Sequence, residues 1–229
     1  MNDNKIYLVG GAKGGTGKSM ICMALIDYLE TSSKNIFLVE TDTANPDVWK
    51  SHKEHFKSEL VDLDSADGWI QLVNTCDSNQ ESIVVINTGA RNNKGVSDYG
   101  AILSNTLVEL KRDLVTLWVI NRQRDSLELL KEYTTTMPNS ESHTLHVIKN
   151  GYFGDNKKYE LYNNSKIKSV IESAGGKSLM FSDLADRVSD DIYTQRISIN
   201  KASRELPIGN RAELQRWRSE YKKMFSEII

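Results

Sequence analysis

Eight residues near the start of the chain, Ala12-Lys13-Gly14-Gly15-Thr16-Gly17-Lys18-Ser19, constrain the fold more than any others. They stand between an apolar run, Ile6-Tyr7-Leu8-Val9, and a segment in which Ile21, Leu25, Ile26 and Leu29 repeat near the helical period. Glycines let successive backbone N–H groups curl around an anion with no side chain in the way, and an opening helix adds the positive end of its dipole. Gly14, Gly15 and Gly17 supply that freedom, Lys18 is placed to reach terminal phosphates, and Ser19 to put a hydroxyl on Mg²⁺. Thr16 and Met20 complete the expected ATP-binding segment. The spacing is that of Gly-x4-Gly-Lys-Ser/Thr, except that Ala12 takes the place of the first glycine and Lys13 follows it.

A loop of this type belongs between a strand and a helix, and the remaining apolar runs extend the pattern. They fall at 36–39, 83–86, 115–120, 145–148 and 179–181, each short and continuous, as expected of strands buried on both faces. Helical periodicity covers 66–76, 97–112, 125–136, 165–174 and 211–228, with three helical stretches after 183. Strands alternating with helices predict an α/β fold, a mostly parallel sheet covered by helices on both faces. Ligands of such sheets gather at the carboxyl ends of the strands, where the loop at 12–19 would lie. The 229 residues suit one domain, 1–229, rather than two. Residues 47–59 are charged and weakly periodic, 150–164 reads as a long functional or mobile loop, and Pro207-Ile208-Gly209-Asn210 marks a turn between two helices.

Net charge of −2 gives no global attraction to nucleic acid or anionic lipid, so any such contact needs a local patch. Basic candidates are Lys111-Arg112, Arg122 with Arg124, and Arg216 to Lys223. Cys22 and Cys76 fall in predicted helices without metal spacing and read as reduced, buried thiols of a cytoplasmic protein. The polar N-terminus carries no export signal, and no apolar stretch approaches the roughly 20 residues of a bilayer span. His52 and His55 share a helix face by spacing, and His143 and His146 lie on opposite faces of a strand. Neither pair has a third ligand nearby in sequence.

Read as Lys-Gly-Gly-x-Gly-Lys-Ser, the loop resembles the deviant Walker A box of the ParA/MinD superfamily of P-loop ATPases, in which the first glycine is often absent. The resemblance implies that Lys13 crosses an ATP-bound homodimer to the partner's nucleotide, with Lys13, Lys18 and Asp42 as the catalytic set. Glu40 and Asp42 leave the second strand two residues apart, so both carboxylates can face the phosphate end. They resemble the Asp-x-Asp of the family's first switch, which gives Asp42 the attacking water and Glu40 a supporting place near the metal's water shell. At the end of the 83–86 run the family carries an acid where this chain has Asn87. An amide there accepts a bond from a magnesium-bound water only weakly, which implies slow hydrolysis; Asn87 also fits the capping of a turn. Restoring an acid at 87 should raise activity only if the metal site is otherwise intact. Asn150 resembles the family's adenine-reading asparagine and is equally a common turn residue.

Along the last helix Leu214, Trp217, Tyr221, Met224 and Ile228 form an apolar stripe. Relatives of the MinD kind bind membrane through such a helix, but Glu213, Glu220 and Glu227 dilute the positive charge here, which favours packing on the chain's own sheet. The short chain, the segment from Glu40 to Asp47 and Asn87 look most like plasmid-encoded proteins of the TraL/MobD/StbB kind. The resemblance thus implies an ATP-dependent dimerisation switch in plasmid maintenance, partition or conjugative transfer, with a plasmid-encoded protein partner and contact with DNA. Two other classes stay open: a small-molecule kinase or ATP-dependent ligase on the same fold, and a non-hydrolysing ATP-gated scaffold or membrane-associated positioning ATPase.

Overall fold

The computed structural model describes residues 5–11, 13–32, 35–90 and 92–229. Ala12 therefore lies outside the described residues. Seven strands form one sheet: β1 (Ile6–Gly11), β2 (Ile36–Glu40), β3 (Lys57–Leu60), β4 (Ile83–Asn87), β5 (Leu114–Ile120), β6 (His143–Asn150) and β7 (Ser178–Phe181). Their order is β3-β2-β4-β1-β5-β6-β7, and every neighbouring pair is parallel. The parallel sheet expected from the apolar runs is therefore present, with β1 central.

Because side chains alternate along a strand, each strand serves two cores. Tyr7 and Val9 of β1 face the layer built from α1 (Lys18–Glu30), α2 (Asp47–His52), α9 (Asp186–Gln195), α10 (Ile199–Glu205) and α11 (Ile208–Phe225). Ile6 and Leu8 face the opposite layer of α3 (Ala66–Ser78), α4 (Asn93–Tyr99), α5 (Ala101–Leu110), α6 (Arg124–Thr136), α7 (Glu160–Asn163) and α8 (Lys166–Ser173). Leu214, Trp217, Tyr221 and Met224 of α11 are buried against α1 and β7, so the stripe packs on the chain's own sheet. That contact carries an ionic tie: Arg218 donates to both oxygens of buried Asp27 on α1, at 3.1 and 2.8 Å, and the Tyr221 hydroxyl donates to Asp27 at 2.5 Å.

Four sequence expectations are corrected. The segment 97–112 is two helices, α4 and α5, broken at Gly100, a residue that weakens helix continuity. Residues 57–60 form edge strand β3, whose Lys57 and Glu59 are the charges that edge strands tolerate. Residues 150–164 are not a loose loop: two 3₁₀ turns and α7 occupy them. Tyr159 and Tyr162 anchor them, donating or sharing hydrogen bonds with Asn150 O at 2.6 Å and Ser178 Oγ at 2.7 Å. Finally, α2 ends at His52, so His55 is not on its face.

The basic candidates change as well. Arg112 is buried, its guanidinium donating to the carbonyls of Lys5, Cys76, Asn79 and Ser82, and so cannot serve a surface patch. Arg216 is paired with Glu213 and Glu220. Cys22 and Cys76 are free and buried. His52 is bonded to Val48 O, His143 to Thr116 and His146 to the Lys177 N–H, so each of the three is tied separately within the core. No helix among the described residues is long and apolar enough to cross a membrane.

Candidate functional site

The loop between β1 and α1 turns through two left-handed glycines, Gly15 (φ 75°) and Gly17 (φ 95°). At Gly17 the need for glycine is also steric, because a Cβ would sit 2.2 Å from Asn150 Nδ2. That crowding has a purpose in the fold: Asn150, at the end of β6, donates Nδ2 to Thr16 O at 2.8 Å and pins the loop to the sheet. Its Oδ1 accepts the Tyr152 N–H at 3.1 Å. One amide hydrogen and one lone pair of Asn150 stay available beside the cleft.

Lys18 opens α1 and is nearly buried, with Nζ donating to Lys13 O at 2.8 Å. Burial pulls its ammonium down to about 8, against the opposing influence of Asp42. Among the described residues no carboxylate forms an ion pair with Lys18, and a buried cation of this kind favours an anion beside it. Lys13 points the other way: it is exposed, and its ammonium pairs with Asp125 in the first turn of α6 of the same chain.

Gly14, Gly15, Gly17, Lys18, Ser19, Met20, Asp42 and Asn150 line one cavity of about 320 Å³. Asp42 is half-buried, its Oδ1 accepting the Asn45 N–H at 3.0 Å. Glu40 and Asn87, opposite each other in the β2–β4 register, do not line the cavity. Glu40 is fully buried and accepts from Asp42 N, Asn87 Nδ2 and Trp49 N; burial pushes its carboxyl up to about 7, with those bonds opposing. Asn87 thus reaches the neighbouring strand rather than capping its own turn, and its Oδ1 is buried without a hydrogen-bond partner among the described residues.

The sequence reading missed three parts of the site. Thr88 and Ala90 line the cavity from the loop after β4, Tyr152 from the turn after β6, and Asp183 and Leu184 from the loop after β7. Asn92 also went unseen; its Oδ1 accepts from Thr41 Oγ1 at 2.7 Å and Gly89 N at 2.7 Å, tying the loop after β2 to the loop after β4. All of these lie just past strand carboxyl ends, and that position was the available signal.

Mg²⁺ fits this arrangement. Ser19 and Asp42 share the cavity, and both offer oxygen, the donor that Mg²⁺ takes. No set of three His, Cys, Asp or Glu side chains gathers to cage a metal among the described residues, and Mg²⁺ in phosphate sites needs only one or two protein ligands besides phosphates and water.

A parallel sheet with β1 central, a glycine-turned loop opening α1 and a buried lysine at its head define the fold of a P-loop nucleotide-binding protein. The cell division protein MinD of Aquifex aeolicus shares the fold, with a TM-score of 0.55 over 98% of each chain at 11% identity. The cell division protein FtsY of Thermotoga maritima matches 78% of this chain and 61% of its own, with a TM-score of 0.53 at 15% identity. No protein-family model matches the chain. Protein MobD of Acidithiobacillus ferrooxidans is 62% identical over 224 residues, 98% of this chain and 97% of that protein. The chain belongs to the MobD family.

Proposed function

We propose that the protein is an ATP-binding, slowly hydrolysing dimerisation switch that works in the cytoplasm in plasmid maintenance, partition or conjugative transfer. The plasmid role rests on the likeness to MobD and its plasmid-encoded kin. The switch rests on one observation: Lys13 is exposed beside the phosphate loop and, among the described residues, is held by a surface pair with Asp125, a partner it can exchange for a phosphate across a dimer. Exposed pairs of this kind are weak because water and salt screen them, so the exchange costs little.

Within one subunit, the N–H groups of the loop and the Lys18 ammonium bind the polyphosphate. Ser19 would hold Mg²⁺, with Asp42 contacting its water shell, whereas Glu40 and Asn87 do not line the cavity; the ion supplies charge neutralisation on the phosphates. Asp42 orients the attacking water and accepts its proton. Slow turnover follows because the acid that the family sets toward the metal's water shell is replaced by an amide engaged with Glu40 instead. Asn150 and Tyr152 flank the end of the cleft that would take adenine. The buried apolar stripe of α11 supports a DNA- or protein-directed role over a membrane-directed one.

Sedimentation velocity with ADP, ATP and a non-hydrolysable analogue tests the reading. The wild-type protein should dimerise with ATP and the analogue only, and Lys13→Ala should bind nucleotide yet stay monomeric. An ATP-dependent dimer unaffected by Lys13→Ala would overturn it.

A further inference from the structure

One carboxylate holds the loop between β2 and α2 at both ends. Glu40, the last residue of β2, has no exposed surface. Its Oε1 accepts the Asp42 N–H at 3.0 Å, and its Oε2 accepts the Trp49 N–H, inside α2, at 3.4 Å. The same Oε1 accepts the carboxamide of Asn87 at 2.8 Å, across the register that pairs the two residues. The backbone from Asp42 to Trp49 is therefore closed on a single side chain and, through it, fixed to β4. A carboxylate suits three converging donors because it has no hydrogen of its own to oppose any of them. The residue at 87 must then be a donor. An aspartate there would set a second negative charge against Glu40 at hydrogen-bond distance, in a place removed from solvent.

We propose that Glu40 is the positioning residue for Asp42 and that Asn87 is its required donor, so that the amide at 87 is a working part of the switch rather than a lost metal-binding acid. The inference rests on the reading that the cleft takes ATP and that Asp42 acts on water. It reverses the simple expectation for position 87: an acid there damages the site instead of repairing it.

Three variants test it, Glu40→Gln, Asn87→Asp and the double Glu40→Gln/Asn87→Asp, read by amide hydrogen exchange, by phosphate release with Mg²⁺-ATP and by binding of a fluorescent ATP analogue. In Glu40→Gln one of the three donors faces an amide N–H. In Asn87→Asp two carboxylates meet. Both should speed exchange at the Asp42 and Trp49 amides while the amides within β2 stay protected. Both should lower kcat by about tenfold or more, the scale of a misplaced catalytic group. Nucleotide affinity should stay within about twofold, because the polyphosphate is held by other residues. In the double variant the amide now at position 40 donates to the carboxylate now at position 87, which should restore part of the loop protection and turnover lost in Asn87→Asp. Should Glu40→Gln fail to fold, the comparison of Asn87→Asp with the double variant still decides. Faster turnover in Asn87→Asp, or loop protection indifferent to all three changes, would overturn the proposal. Absence of ATP binding by the wild-type protein would instead overturn the functional reading, and the exchange data would still judge the hold of Glu40 on the loop.

Discussion

Lys18 carries the charge on which the proposed polyphosphate binding turns, and its burial makes that charge sensitive to pH. Its ammonium titrates near about 8 in the protein without nucleotide, because desolvation outweighs the nearby Asp42. A bound polyphosphate favours the protonated form and raises that value. Below about 8 the lysine is charged before and after binding, so affinity is at its full level. Above that value the free protein must take up a proton to bind, and affinity falls by about tenfold per pH unit until the bound-state value is reached. Titrating a fluorescent ATP analogue between about pH 6.5 and 9.5 measures this; a flat profile would assign the controlling charge elsewhere. The place of Lys18 at the head of α1 was legible in the sequence because the pattern of a phosphate loop is local, set by spacing within eight residues. That of Glu40 was legible only in part: its neighbour Asn87 is 47 positions away, and only the strand register brings them together.

At the scale of elements, α1, the helix that follows the phosphate loop, is largely buried and is tied to α11 through Asp27. Arg218 and Tyr221 converge on Asp27, which is 2% exposed. Removing one partner of a buried pair leaves the other charge uncompensated, so Arg218→Ala should cost about 3–5 kcal/mol in urea unfolding. An effect below about 1 kcal/mol would mean that the pair is solvated like an ordinary surface one. Six of the seven strands were readable because each is a short run of mostly apolar residues, a pattern that needs no partner to be seen. Strand β3 was not, since an edge strand with Lys57 and Glu59 is defined by its pairing with β2 rather than by its own hydrophobicity. The turns after β6 were hidden for a related reason: Tyr159 and Tyr162 look like scattered aromatics until the core that they fill exists.

Across the whole molecule, the two ends of the sheet do different work. The carboxyl ends of the strands hold the cleft. The amino ends are closed by Arg112, which precedes β5 and binds carbonyls next to β1 and β4 and at the end of α3. Replacing it with methionine leaves several carbonyls without a donor and should cost about 3 kcal/mol or more. For a chain of this size that lowers the melting temperature by roughly 10 °C. Nucleotide affinity should not change, because the cleft is at the opposite end; calorimetry paired with a binding titration separates the two effects. A matching loss of affinity would show that the two ends are coupled.

The Lys13–Asp125 pair has a further consequence once a second copy is considered. A two-fold axis repeats every contact, so a dimer that draws each Lys13 onto the opposite nucleotide must open two such pairs and leave two Asp125 carboxylates unpaired on the facing surfaces. Those carboxylates are new negative charges beside an already anionic nucleotide. In such a dimer they would make a surface that attracts cations, one that the single chain, with its lysine paired to Asp125, does not present.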